Sequence, residues 1–407
     1  MMLSLLACMA IIGAEAQKVT VHNFPTFKAH VYTSTEAMGD VSILVEGDKG
    51  LVVLEPQSFY KSIKDFNAYA EKLGKPIVKI VANYHAGGLA SMDKKKIVMV
   101  EPMVAFMQTP QAQGMLKKFA GAFKGAMDTR SVKIKKTIPA TSKQQWAGVD
   151  FNFTAGSVAD FPASSVNIGG KVYYMHFAPN RKHPAPMLLK NAAALDATLA
   201  EMKKAKASGC ELFVGSHGAE ATAEDVDFLI SYLTKVKELL ATCKDADRFG
   251  QQLILAYPKL DGAENIRSIA KALYPNATAD AEVEAVRARM QDYFNMISNL
   301  DFNIAKGLWA ENDNISFINP RTHLVGYNQI KNGLTKGFSQ FKFRKLSSLN
   351  EVINIYGDAA NIQLYWKFDT IDAKGKKNQT RGRESLIFSK INGEWRLVHV
   401  HYSRMPE

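Results

Sequence analysis

The stretch IVANYHAGGLAS, Ile80 to Ser91, decides how the first two-thirds of the chain is read. The β-branched run Ile77 to Val81 that feeds it predicts a buried parallel strand. The strand runs into the polar cluster Asn83-Tyr84-His85. Gly87-Gly88 follow at once and let the backbone turn sharply. Polar side chains at the carboxyl end of such a strand are where α/β folds place a site. His85 is therefore the first candidate functional residue.

Working outward, Ser42 to Val45 and Leu51 to Leu54 are strand-like runs joined by Glu46-Gly47-Asp48-Lys49-Gly50, a hairpin with a glycine-rich turn. Upstream of them, Val19 to Tyr32 reads as extended. Glu55-Pro56 stops the hairpin's second strand. An amphipathic helix follows, with Ile63, Phe66, Tyr69, Ala70 and Leu73 on one face, and Gly74 and Pro76 end it. Downstream, Met103 to Lys124 reads as one Met-rich helix over core or cleft. Lys171 to Met175 is a strand that runs into His176-Phe177-Ala178-Pro179 and the basic loop Asn180 to Pro184, which carries His183. Glu211 to Val214 is another short strand and ends in Gly215-Ser216-His217-Gly218. The next helix, capped by Thr222 and Asp225, buries Val226, Leu229, Ile230, Leu233, Val236 and Leu240. Strands alternating with helices indicate an α/β domain.

The order of hairpin, helix, strand and His-bearing loop resembles the opening of the metallo-β-lactamase superfamily, whose signature is H-x-H-x-D-H followed by Gly-Gly. Asn83 stands where the first His belongs, His85 fits the second, and the Asp-His pair has no counterpart. Glu55 stands at the acid behind the metals. In Phe151 to Ser157, which resembles the family's G-H-T-P-G-S, Phe153 replaces a ligand His. His176 follows the strand that should end in the bridging Asp, and His217 fits the terminal G-H-G. The resemblance implies an αββα sandwich. It also implies a pseudo-hydrolase without a cofactor, because two imidazoles and no carboxylate hold a divalent metal poorly. The alternative is one zinc ion in a rebuilt mononuclear centre, with His85 and His217 joined by His176 or His183, serving a metal-dependent hydrolase. A catalytic zinc needs three protein ligands and an open position. Ser91 and Ser216 lie in no nucleophile-elbow pattern.

Pro275 to Asp280, PNATAD, is a Pro/Asn/Asp cluster that marks a boundary. Beyond it Asp280 can cap a helix with Val286, Met290, Tyr293, Ile297 and Leu300 on one face. Short strands follow with turns at Gly357-Asp358, Gly375 and Asn392-Gly393, an α+β order. The ending Arg381-Gly382-Arg383-Glu384-Ser385, then Asn392-Gly393-Glu394-Trp395 with His399, His401 and Ser403, resembles the SnoaL-like branch of the NTF2-like superfamily. That implies a sheet and long helix rolled into a cone around an apolar pocket. Strict alternation puts Trp395, Leu397, His399, His401 and Ser403 on one face, expected to be the buried one. Arg381, Arg383 and Ser385 share a face of the neighbouring strand. With Trp309, Tyr327 and Trp366, these residues suit a small carboxylate or planar polar ligand. The rival reading is a structural network or a dimer interface. Asp301 and Asp313 are candidate carboxylate bases by position.

The 407 residues are 47% hydrophobic and 22% charged, ordinary for two or three globular domains, with a net charge of +12. The lysines are spread out, at 94–96, 133–136 and 374–377, without any nucleic-acid motif, so the charge reads as solvated surface and no nucleic-acid partner is expected. Met1 to Gly13 are apolar and small, and Ala14-Glu15-Ala16 supplies a cleavage site. This predicts a signal peptide over 1–16 and an exported protein, periplasmic or extracellular. Leu5-Leu6-Ala7-Cys8 offers lipidation of Cys8 as the alternative. No stretch is long enough to span a membrane. Cys210 and Cys243 are expected as separate thiols. The expected order is a signal over 1–16, a metallo-β-lactamase-like domain over 17–275, a linker at 276–280 and an NTF2-like domain over 281–407. The second domain would bind a small molecule and could form a homodimer.

Overall fold

A computed structural model describes residues 18–156, 162–218, 220–275, 281–303 and 307–405. The expected signal segment with Cys8, the linker at 276–280 and the Asp280 cap lie outside the described residues. The chain divides into two units. The first takes residues up to Arg181 together with Asn191–Thr234; the second takes Lys182–Lys190 and Lys235–Glu407.

In the first unit β1 (Lys18–Asn23), β2 (Lys28–Thr33), β3 (Val41–Gly47) and β4 (Gly50–Leu54) pair antiparallel through short connections. The chain then crosses through α1 (Tyr60–Lys72), so β5 (Ile77–Ala82) lies parallel to β4, as a helical crossover requires. β6 (Ile97–Val100) and β7 (Thr137–Ile138) continue in parallel, with α2 (Glu101–Met107) and α3 (Pro110–Ala122) between them. The single helix expected over Met103 to Lys124 is thus two. Pro110 cannot continue α2, and Thr109 caps α3 by accepting the Ala112 N–H at 3.3 Å. The second sheet runs β12-β11-β10-β9-β8, from β8 (Ser142–Trp146), β9 (Val149–Ala155), β10 (Ser164–Ile168), β11 (Val172–Phe177) and, after α4 (Ala192–Ala207), β12 (Leu212–His217). One apolar core joins the sheets, with Ile43, Val53, Val81 and Met99 from one and Phe151, Val166, Tyr174 and Val214 from the other.

The register does the positioning. Leu54 pairs with Val81, so Glu55 and the Asn83-Tyr84-His85 loop emerge at the same end of their sheet. Phe177 pairs with His217 in the parallel β11–β12 ladder, which sets His176 and His217 at one end of theirs. Cys210 and Cys243 are free thiols.

α5 (Ala223–Thr242) carries the chain into the second unit. There α6 (Ala246–Ala256) and α7 (Ile266–Leu273) precede α8 (Ala281–Asn299). After β13 (Ser316–Ile318), β14 (His323–Val325) and α9 (Tyr327–Phe338) come four long strands, β15 (Phe341–Tyr356), β16 (Ala359–Asp372), β17 (Lys377–Ile391) and β18 (Glu394–Arg404). The sheet order is β14-β13-β18-β17-β16-β15. α8 packs on it with Val286, Met290, Tyr293 and Ile297 in a core with Trp309, Leu386 and Phe388.

The second unit is larger than the domain expected over 281–407, because α6 and α7 pack with it. Glu351 of β15, 4% exposed, accepts from Arg287 Nε of α8 at 3.0 Å and pairs with Arg267 of α7 at 3.0 Å. Asp247 of α6 lies 3.6 Å from Arg287. A run of hydrophobic spacing shows where helices begin but not which sheet they cover, and this buried charge network decides it.

Two candidate sites, one in each unit

His85, His176 and His217 converge at the ends of β5, β11 and β12. Their ligand-capable nitrogens all lie within 4.8 Å of one another. The ring centroids are 4.6 Å apart for His85 and His217, 5.4 Å for His176 and His217 and 5.6 Å for His85 and His176. His176 and His217 are buried and His85 is partly open. His183 does not join them. It belongs to the second unit, where its ring lies edge-on to Tyr257 at 6.5 Å. Burial pushes the three clustered imidazoles below their ordinary pKa, and the other imidazoles of the cluster, His217 for His85 and both for His176, add to that effect by disfavouring a second positive charge. Neutral imidazole is the form that ligates a metal.

Each outer ring has an acid behind it. Asp40 Oδ1 lies 3.8 Å from His217 Nδ1, and Glu55 Oε2 lies 3.8 Å from His85 Nδ1. His217 Nδ1 is 3.0 Å from the Met38 carbonyl, which can only accept, so Nδ1 carries the proton and the Nε2 lone pair is left for a ligand. Glu55 sits at positive φ, 54°, and gathers three backbone N–H groups, from Asn83, Tyr84 and His85 at 3.0, 2.7 and 3.1 Å. These bonds oppose the burial that pushes its carboxyl up to about 8. Strain of this kind persists where the surroundings overdetermine it, which is common at sites. Tyr84 stacks on His176 at 4.7 Å.

The positions where the resemblance lacks a ligand do structural work. Asn83 turns away to β10, donating to Ser164 O at 2.6 Å and accepting from Ser164 N at 2.9 Å. Phe153 is buried against Trp146. Asn83→Ala is expected to leave a buried carbonyl and N–H of β10 unpaired and to cost about 1–3 kcal/mol. Urea unfolding of the full chain measures it, and an unchanged midpoint would contradict the tie between the sheets.

In the second unit a cavity of about 630 Å³ opens between α8, α9 and the inner sheet face. Phe338, Trp366, Phe368 and Tyr402 wall it, Tyr293 and Glu384 lie in its floor, and exposed Arg321, Lys336 and Arg404 stand at its rim. Trp366 lies across Gly382, where a Cβ would fall 2.2 Å from its ring and 2.0 Å from Ser403 O. Glu384 is 4% exposed, and its Oε1 accepts from the Tyr293 hydroxyl at 2.9 Å.

Most of the expected pocket residues are elsewhere. Of Arg383, His399, His401, Tyr327, Trp366 and Trp309, only Trp366 lines the cavity. The cause is a β-bulge. Leu397 pairs with Phe388 and His399 with Ile387, so Val398 is an extra residue in β18. Ahead of it Leu397 bonds with Leu308 and Ala310; beyond it the strand pairs with β13. Alternation restarts after Val398, which turns Val400 and Tyr402 inward and His399, His401 and Ser403 outward. His401 is exposed, and His399 Nδ1 meets the Ser316 hydroxyl at 2.7 Å. Arg383 is exposed over the Tyr365 ring at 5.9 Å, and Arg381 pairs with Asp261 at 2.6 Å. Trp309 packs edge-on against Tyr293 at 6.2 Å, Tyr327 opens α9, and neither Asp301 nor Asp313 lines the cavity. Glu384 was missed, although the inward set Gly382, Glu384, Leu386 and Phe388 alternates in the sequence; the Gly-Arg motif drew the reading to the other parity.

A family profile described as a SnoaL-like domain matches residues 286–407. Solved structures similar to this chain include a nuclear transport factor 2 (NTF2-like) superfamily protein from Salmonella enterica, 32% identical over 32% of this chain and 95% of that one, with a TM-score of 0.30. A conserved protein from Planctomyces limnophilus is 18% identical over 31% of this chain and 98% of its own, with a TM-score of 0.28. A protein with a cystatin-like fold from Caulobacter vibrioides is 19% identical over 30% and 89%, with a TM-score of 0.27. No curated protein matches. Through residues 286–407 the chain belongs to the SnoaL-like branch of the NTF2-like superfamily.

Proposed function

We propose that this is an exported two-domain protein with a metallo-β-lactamase-like first domain carrying a mononuclear three-histidine metal centre for hydrolysis and a second domain that binds a small molecule. The convergence of His85, His176 and His217 carries the proposal. Three neutral imidazoles are a donor set that suits catalytic zinc with an open coordination position. A metal there supplies Lewis-acid activation of water. The chain's own residues do the rest. Asp40 and the Met38 carbonyl orient His217, Glu55 fixes the His85 loop, and Tyr84 packs the wall beside His176. Asn83 and Phe153 argue against a binuclear centre, so the hydrolase reading has the mononuclear form only. Elemental analysis after dialysis against zinc and manganese buffers tests this, together with a panel of β-lactam, thioester and phosphodiester substrates. One metal per chain is expected. A protein that retains none overturns the proposal and returns the domain to a pseudo-hydrolase.

The export reading is supported by the apolar Met1 to Gly13 and by Ala14-Glu15-Ala16. Among the described residues no helix is long and apolar enough to cross a membrane. Exposed Phe343, Tyr356 and Ile391 on the second unit's sheet support a homodimer through that domain.

A further inference from the structure

Each of the three clustered rings has its own support. His217 Nδ1 meets the Met38 carbonyl, and His85 Nδ1 faces Glu55. The face of His176 carries the Tyr84 ring, 9° from parallel, with centroids 4.7 Å apart. A stack fixes a ring only as firmly as the partner ring is itself fixed. Tyr84 is 4% exposed, and its hydroxyl meets the hydroxyl of Ser165 in β10. Ser165 in turn donates to Glu201 Oε1 of α4. Each hydroxyl has one proton, so Tyr84 donates to Ser165 and the acid ends the chain. The Tyr173 hydroxyl of β11 donates to the same Oε1 at 2.9 Å, and Lys204 Nζ lies 2.9 Å from Oε2. Glu201 is itself buried.

We propose that Glu201 is a positioning residue for the three-histidine centre, acting through Ser165 and Tyr84 to hold the His176 ring. This rests on the metal-centre reading of the first domain. An imidazole ligates only along the in-plane direction of a nitrogen lone pair. Rotation of the His176 ring would swing that direction away from His85 and His217. A parallel phenol tied at its far end resists the rotation, as supporting partners of metal ligands do. A phenol that donates to a chain ending in an acid also has a more negative ring face, which favours an imidazole sharing a cation's charge. The bonds at Oε1 tie α4 to β10 and β11 in any case. A purely structural role therefore predicts lost stability with unchanged metal affinity, whereas the positioning role predicts that affinity falls in the folded protein.

The test measures zinc affinity of the full chain by competition with a chromophoric chelator, and urea unfolding without metal. Glu201→Ala and Tyr84→Phe, which keeps the stacked ring, should each weaken zinc binding about tenfold, the lower end of the range for a lost supporting partner. The double variant should lose about the same tenfold and not a hundredfold, because both changes break one chain. Glu201→Gln still accepts from Ser165 and should keep most of the wild-type affinity. Cobalt(II) in place of zinc should show a shifted visible spectrum in Glu201→Ala and the wild-type spectrum in Glu201→Gln. If Glu201→Ala fails to fold, Ser165→Ala takes its place in the cycle with the same expectation. Wild-type zinc affinity in the folded single variants, or additive losses in the double, overturns the positioning role and leaves the three-histidine centre standing. A wild type that binds no zinc overturns both.

Discussion

His176→Ala is expected to strip the metal proposed for the first unit. The effect should exceed the roughly 10–100-fold loss that follows removal of a mere supporting partner, since a direct ligand is gone. His176 is the informative choice because the resemblance expects an aspartate near its position, so a family-style centre would not need it. Three rings with nitrogens within 4.8 Å form the set, and two imidazoles cannot replace three. His85→Ala should match it. His183→Ala, which alters a buried ring of the second unit whose pKa burial lowers to about 4, should retain the metal. Elemental analysis after dialysis reads all three variants. Retention of wild-type metal by His176→Ala, or its loss from His183→Ala, would sink the three-histidine centre.

Glu351→Ala should destabilise the second unit by about 3–5 kcal/mol, the usual cost of leaving a buried charge without its partner. Arg287, whose side chain is 9% exposed, would face Asp247 at 3.6 Å and Glu284 but lose its closest buried acceptor. Arg267, 39% exposed, can turn to water and loses less. Three of the four tryptophans, Trp309, Trp366 and Trp395, lie in this unit, so urea unfolding followed by fluorescence reports on it. A loss below about 1 kcal/mol would mean the network is a solvated surface feature. It would also remove the main reason for joining α6 and α7 to the cone.

The sequence carried the elements of both units well. Hairpin, α1, β5 and the His-bearing loop follow from hydrophobic period and turn chemistry, which are local properties. His85 and His217 were legible because each ends a strand in a polar, glycine-flanked loop. The choice between His176 and His183 was not, because they sit seven residues apart, one at the end of β11 and the other in the segment after it, and only the fold sends them to different units. The second site was misread for a different reason. Its strands were identified, but facing was inferred by strict alternation through Val398, and the pairing of Leu397 with the Leu308 to Ala310 segment is a long-range fact with no local signal. The extent of the second unit was illegible for a similar reason, since the partner of Arg267 and Arg287 lies on a strand more than sixty residues downstream of either.

The Val398 bulge is a joint in the last strand. Deleting that one residue would leave Leu397 opposite Phe388 and His399 opposite Ile387, so the histidines would stay outward and Tyr402 inward while the strand straightened. What the extra residue supplies is the bend, by which one strand meets the Leu308 to Ala310 segment with its first half and β13 with its second.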